Sequence, residues 1–290
     1  MIIVRLTGGL GNQMFQYAAA RSVADRHGVR LELDITDYKH HKLRRYELGD
    51  FTIRAEIASK DDIESLGADA SRLSLFGRFK RRLFPSSSNA VYRERSLSYD
   101  SGVESIVPPM YLDGYWQSER YFTLNEDAIR RDFSSAYPLN EPNSNILAQI
   151  QAVNAVSLHI RRGDYVSDLR TNRMHGICSL DYYRSAIDYI SGKVTQPHFF
   201  IFSDDHSWVQ RNFYFVSPSI FVTVNSSDMG VLDMILMQQC KHHIIANSSF
   251  SWWGAWLDPS SDKIVVAPKR WFNDLRFETK DLVPSSWVRL

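Results

Sequence analysis

The chain opens with Ile2-Ile3-Val4-Arg5-Leu6, followed at once by Gly8-Gly9-Leu10-Gly11-Asn12-Gln13. No other stretch constrains the fold as tightly, because it reads as a buried first strand running into a glycine turn where backbone and ligand can approach closely. Met14, Phe15, Tyr17, Ala18, Ala19 and Val23 then give a helix with a broad apolar surface, which Gly28 ends before a second strand over residues 29–33. Strand, turn, helix and strand make a βαβ unit. The turn is not the dinucleotide fingerprint, since Met14 stands where a third glycine belongs. Asn12 and Gln13 fill it instead with neutral amides, which suit hydroxyl groups better than pyrophosphate.

Later in the chain the alternation becomes regular. Residues 155–158, 198–202, 220–224 and 264–267 read as strands and residues 231–240 as a helix, a spacing that argues for a parallel, doubly wound domain. A helix near residues 125–131 and the polar stretch 138–145 mark the boundary, giving domains 1–145 and 146–290. Residues 72–98 read as a mobile insertion. Its basic run 78–82 (RFKRR) is read first as a solvated charged helix, and second as a contact for anionic lipid or a lipid-linked acceptor. Residues 111–117 read as a strand whose aromatic, polar edge suits a sugar face.

Three constellations carry the chemistry. His159-Ile160-Arg161-Arg162-Gly163-Asp164-Tyr165 ends a strand with two guanidiniums, whose planar donor forks match phosphate oxygens in pairs. Strand ends are where open α/β sheets gather ligands. The alternative is a structural salt bridge with Asp164, and adjacent side chains on a strand point to opposite faces, so Arg161 and Arg162 need not share a role. Ala246-Asn247-Ser248-Ser249-Phe250-Ser251-Trp252-Trp253-Gly254 offers backbone N–H groups and hydroxyls at a helix start, fitting one anion or an ordinary cap over an aromatic core. Asp233 puts a carboxylate among Leu232, Met234, Ile235 and Leu236, where it either favours the positive helix end or receives N–H donors from a ligand.

Taken in order, GGLGNQMFQYA (8–18), HIRRGDY (159–165), FSDD (202–205) and NSSFSWWGAWL (247–257) resemble the α-1,2-fucosyltransferases, with a weaker resemblance to protein O-fucosyltransferases and α-1,6-fucosyltransferases. The resemblance implies a GT-B-like α/β fold, two Rossmann-like domains facing across a cleft, with nucleotide on the C-terminal half. It implies an inverting galactoside 2-α-L-fucosyltransferase that moves L-fucose from GDP-L-fucose to the 2-hydroxyl of a terminal β-galactoside. Arg161 would stabilise the leaving β-phosphate. Ser248, Ser249 and the Phe250 backbone would hold the diphosphate and Asp233 would read guanine. His159 and Arg162 would lie on the donor side, while Gly9, Gly11, Asn12 and Gln13 would face the fucose and the acceptor. Asp164 is named as a site residue, and Asp34, Asp113 and Asp168 are the other carboxylates considered as general base.

Composition sets outer limits. The formal charge of +1 over 290 residues gives no global attraction to nucleic acid or to an anionic membrane. Cys178 and Cys240 form no CxxC pattern, and no apolar run is long enough to span a bilayer, so the expected place is the cytoplasm, with peripheral contact on the inner membrane as an extension. There is no Asp-x-Asp triplet, no HExxH and no zinc spacing; His40-His41 and His242-His243 are adjacent pairs whose members point apart on a strand, so no metal or other cofactor is expected. The expected partners are GDP-L-fucose and a galactose-terminated oligosaccharide or lipid-linked glycan of O-antigen synthesis. Two rival readings are a non-catalytic carbohydrate-binding module, suggested by the tryptophans and tyrosines, and an NAD-dependent oxidoreductase, suggested by the first βαβ unit.

Overall fold

The computed structural model describes residues 1–39, 44–68, 90–163, 166, 168–226, 228–274 and 276–290. The basic run 78–82, His40-His41 and Asp164 lie outside the described residues. The chain divides into two compact units, Met1–Ser134 with Lys280–Leu282, and Ser135–Thr279 with Val283–Leu290. A division at 145/146 would fall inside a helix of the second unit, Glu141–Gln151.

In the first unit, β1 (Ile2–Arg5), β2 (Leu31–Asp34), β3 (Glu56–Ile57), β4 (Val91–Arg93) and β5 (Met110–Asp113) form one parallel sheet in the order β3-β2-β1-β5-β4. Ile2, Ile3 and Val4 are all 0% exposed, as a central parallel strand covered on both faces requires. The crossover helix α1 (Leu10–Arg26) is buried on almost every side, which explains why its apolar positions form no single stripe. Even Gln16 is inside. Its amide accepts from Thr7 N–H (3.0 Å) and donates to the Gly114 carbonyl (3.2 Å), tying the ends of β1 and β5 together. Two shorter helices, α2 (Lys60–Ser65) and α3 (Glu126–Asp132), complete this unit's described α-helices. The strand expected to run to residue 117 stops at Asp113, because Trp116 takes a left-handed backbone (φ 57°) that no strand tolerates.

The second unit contains α4 (Glu141–Gln151), β6 (Asn154–Ile160), α5 (Leu169–His175), α6 (Leu180–Ser191), β7 (Pro197–Ser203), α7 (His206–Asn212) and β8 (Ser219–Phe221). It continues through α8 (Gly230–Gln238), β9 (His242–Ile244), α9 (Ser249–Leu257), β10 (Val265–Ala267) and β11 (Val288–Arg289). Its sheet is parallel throughout, in the order β11-β10-β9-β6-β7-β8. Counted from β6, that is the strand order of dinucleotide-binding folds. The pleat sorts the core: Val156, Leu158, Ile160, Phe199 and Ile201 pack towards α6, while Ala155, Phe200 and Phe202 pack towards α4 and α8. Each fully buried side chain of this size contributes about 1.5–3 kcal/mol. The result is the α/β, two-Rossmann composition that the alternating pattern predicts.

One buried polar cluster crosses this sheet. His243 lies between the Ser157 hydroxyl (2.8 Å) and the Asp258 carboxylate (3.2 Å), all at most 3% exposed. The grouping has the residue types of a hydrolase triad, but Ser157 and His243 are register partners inside the sheet, where no substrate reaches them. It is a satisfied core network.

Candidate functional site

Parallel open sheets hold ligands beyond the carboxyl ends of their strands, at the point where strand order reverses. In the second unit this point lies between β6 and β9, and the chain places Arg161-Arg162-Gly163 directly after the first and Asn247-Ser248-Ser249-Phe250 after the second. The two distant motifs meet because the topology puts their strands side by side. His159 and Phe250 mark the meeting point, with ring centroids 5.4 Å apart. Gly230 extends the line: a Cβ there would sit 3.5 Å from the Phe250 ring, so the first turn of α8, which carries Asp233, abuts the same side chain.

The Arg pair divides. The Arg161 guanidinium pairs with Asp204 at 3.0 Å, and the Asp204 carboxylate also accepts from the Arg162 backbone N–H at 2.8 Å. Arg162 pairs with Asp205 at 3.2 Å and lies over the Trp208 ring at 3.8 Å. Its cation–π contact and ion pair hold the end of β6 against α7, whose N-terminus Asp205 caps by accepting from Trp208 N–H. Arg162, placed on the donor side by the sequence reading, is thus engaged structurally. The clamp is formed by the two aspartates of FSDD. Gly163 permits it, since a Cβ at that position would come within 2.5 Å of Asp204 Oδ2.

His159 is 5% exposed and held neutral, its pKa pushed down to about 3 by burial and by the neighbouring Arg161 charge. Its Nδ1 is buried with no hydrogen-bond partner among the described residues, which in a native interior calls for an explanation.

Ser248 stands at the N-cap of α9 in extended conformation, yet its hydroxyl makes no capping bond. Ser251 bonds the Ala246 N–H and the Ser248 carbonyl, and the first helical bond runs from Trp252 N–H to Ser248. An ordinary cap would have used the Ser248 hydroxyl; here that hydroxyl stands outside the helix's own bonding, at a helix start whose positive end suits an anion. Asn247 has a different part: its amide donates to the carbonyls of His175 (2.9 Å), Gly176 (3.3 Å) and Trp271 (3.1 Å), which makes it a buried latch for two loops. Asp233 is partly buried, with its pKa raised to about 6 by desolvation, against which a bond donated by Asn225 acts.

In the first unit the switch point lies between β1 and β5, and here the expected site residues behave otherwise. Gly8 has φ 82°, and a Cβ on it would press to 2.5 Å from the Asn12 amide nitrogen, so the turn demands glycine there. Gly9 is the N-cap of α1 and Gly11 is buried in its first turn. Gln13 corrects the sequence reading. It is 0% exposed, its amide donates to the carbonyls of Gly8 (3.2 Å) and Arg45 (2.8 Å) and accepts from Glu47 N–H (2.9 Å), so it staples a loop and faces no sugar. Asn12 remains partly exposed, its carbonyl oxygen accepting from Gln117 Nε2 at 2.8 Å.

Gln117 is delivered by a residue that no motif flagged. Glu94 accepts from the backbone N–H groups of Tyr115 (2.6 Å) and Trp116 (3.0 Å), gripping the strained turn. Trp116 is 0% exposed and packs edge-on against Tyr121, so it is core and not the sugar platform expected of residues 111–117. Two of the considered bases are also engaged. Asp34 is 4% exposed and bonded by Tyr111 (2.6 Å) and Thr36 N–H (2.9 Å), while Asp113 pairs with Arg5 (3.2 Å) and Arg93 (3.4 Å). Asp168 is exposed.

Comparison with known proteins places this geometry. The family model for glycosyl transferase family 11 matches residues 92–290, more than half of the chain and all of the second unit's strands. An alpha-1,2-colitosyltransferase of Escherichia coli is 35% identical across 100% of this chain and 99% of its own. The O-antigen biosynthesis glycosyltransferase WbnK of Escherichia coli is 33% identical across 98% and 99%. A galactoside 2-alpha-L-fucosyltransferase, SEC1 of Bos taurus, is 28% identical over 52% of this chain and 43% of its own. With both full-length likeness and a family model spanning the site, the chain belongs to glycosyl transferase family 11 and is a glycosyltransferase.

Proposed function

We propose that the enzyme transfers L-fucose from GDP-L-fucose to the 2-hydroxyl of a terminal β-galactoside, with inversion, during assembly of a bacterial O-antigen. The observation that carries the reading is the second switch point, where Arg161, neutral His159, the uncapped start of α9 and Asp233 converge. As the fucose–phosphate bond breaks in an oxocarbenium-like transition state, negative charge develops on the β-phosphate. Arg161 and the first-turn N–H groups behind Ser248, Ser249 and Phe250 meet that charge with preorganised donors. His159 Nδ1 gains a donor-side partner, and Asp233 accepts from guanine. Asn12 is assigned to the fucose and acceptor by resemblance alone, and Asp164 is kept as a site residue with the general base left open.

The reading assigns no metal or other cofactor, places the enzyme in the cytoplasm and takes a galactose-terminated, lipid-linked glycan at the inner membrane as acceptor. Among the described residues no helix is long and apolar enough to cross a membrane.

Incubation with GDP-L-fucose and a panel of β-galactosides, in chelator, tests this reading. Linkage analysis should show α-1,2-fucose on galactose; absence of any product, with GDP bound, would overturn it. A second donor is favoured by the relative named as a colitosyltransferase, colitose being L-fucose without its 3-hydroxyl. Competition between the two GDP-sugars for one acceptor decides which sugar the pocket prefers.

A further inference from the structure

Asp233 is the only ionisable side chain on α8, and it does not stand alone. Asn225 Nδ2 donates to Asp233 Oδ1 at 2.8 Å and to Asn143 Oδ1 at 2.9 Å, while Asn143 Nδ2 donates back to Asn225 Oδ1 at 2.8 Å. Asn143 is 0% exposed and is itself fixed, donating from its side chain to Asn140 Oδ1 at 2.7 Å, the residue that caps α4. The reciprocal pair settles which way the Asn225 amide is turned. Flipped, it would oppose carbonyl to carbonyl at Asn143 and oxygen to carboxylate at Asp233. A rigid helix start is thus connected, through two amides, to one oxygen of the carboxylate.

We propose that Asn225, locked by Asn143, is a positioning residue that aims the Asp233 carboxylate at the N–H edge of the guanine base. The proposal rests on the base-reading role given to Asp233 above. A carboxylate that reads two N–H donors must hold both oxygens in the base plane, and an anchored Oδ1 removes its freedom to rotate. The same bond bears on ionisation. Burial raises Asp233 to about 6, and the Asn225 donor is what opposes that rise. The other groups near it are few: α9 has no ionisable side chain, α4 has only Glu141 at its first position, and the sheet face below α8 carries His159 beside Phe250, His198 stacked on Phe200, and His243 buried between Ser157 and Asp258. Asp228, on the loop after Asn225, is exposed and bonded by Ser226.

The sign follows directly. Guanine N–H donors need the ionised acid, so GDP affinity should weaken as pH falls through about 6. Without Asn225 the acid should titrate higher, and the loss should begin nearer neutrality. Calorimetric titration of GDP and ADP from pH 5 to pH 8.5 tests this on wild type, Asn225→Ala, Asn225→Ser and Asp233→Asn, with melting curves to confirm folding. Asp233→Asn should abolish the preference for GDP over ADP and flatten the pH profile. Both Asn225 variants should shift the profile upward and lose roughly tenfold of GDP affinity at neutral pH, with ADP unchanged. If Asp233→Asn loses the preference while folded Asn225 variants match wild type, the positioning role is overturned and the base-reading role stands. If Asp233→Asn keeps the preference, the base-reading role itself fails.

Discussion

The two sheets share one design and put it to different uses. Each reverses strand order beside its first strand, and each sends a motif-bearing loop from that strand's carboxyl end. In the first unit the polar groups there bond to one another: Arg5 to Asp37 and Asp113, Gln13 to residues 8, 45 and 47, Gln16 to residues 7 and 114. In the second, His159 Nδ1 and the Ser248 hydroxyl hold back from such bonds. Polar residues at a strand end therefore divide into those that build the loop and those that the loop presents, and only the bonding pattern tells them apart.

The strongest test of that division is Arg161→Lys. Asp204 would still find a cation, but a point charge cannot reproduce a planar fork across two phosphate oxygens. Loss of one preorganised donor costs about 3 kcal/mol of barrier, so kcat should fall roughly a hundredfold with the melting temperature little changed. Steady-state rates on the purified variant check this, and retention of more than about a third of wild-type turnover would end the leaving-group role.

Gln13→Ala should do the opposite. It removes three bonds at once, to the Gly8 and Arg45 carbonyls and from the Glu47 N–H, and opens a gap where a fully buried side chain stood; each such bond contributes about 0.5–1.5 kcal/mol. Denaturant unfolding should register a loss of at least that size while GDP affinity stays at the wild-type value. A stable variant with weakened GDP binding would break the comparison, since the first switch point would then be presenting its amide after all.

Much of this is legible in the sequence. Strand ends could be placed because apolar runs stop where Arg161 and Gly8 begin, and the ends are where ligands gather. The use of Gln13 and the partner of Arg162 are not legible there, because polarity shows that a side chain needs a partner without showing which. Gln13 finds its partners some thirty residues away, and Arg162 finds Asp205 across a parallel pair of strands. Glu94 and Asn225 left no signal at all. Each is an ordinary polar residue whose meaning comes from a backbone or side chain far along the chain, Trp116 in one case and Asn143 in the other.

Ser248→Ala tests the presenting side more gently. The hydroxyl makes no bond within the helix, so its removal should leave the melting temperature unchanged. A hydrogen bond to a charged phosphate is worth about 1.5–3 kcal/mol, so GDP should bind about tenfold more weakly or worse by calorimetry. A variant that loses stability and keeps its GDP affinity would show Ser248 to be structural, like Gln13 in the first unit.

The smallest effect concerns acid. His159 is pushed down to about 3 in the folded protein, against about 6.5 when unfolded, so the unfolded chain binds the extra proton between those values. Its contribution is complete above pH 6.5 and is lost as pH falls below it, at up to about 1.4 kcal/mol per unit. His243, also lowered by burial, acts in the same sense. Asp233 acts against them: raised from 3.8 to about 6, it holds its proton in the folded state, and its contribution grows as pH falls through 6. Wild-type stability should therefore fall as pH drops below about 6.5, and more gently than the histidines alone would give, which denaturant midpoints taken from pH 8 to pH 5 would show. Asp233→Asn removes the offset and should steepen the decline below pH 6, while His159→Gln, neutral at every pH, should flatten it. An Asp233→Asn curve that follows wild type would mean that the second switch point holds its carboxylate no differently from the solvated acids of the surface.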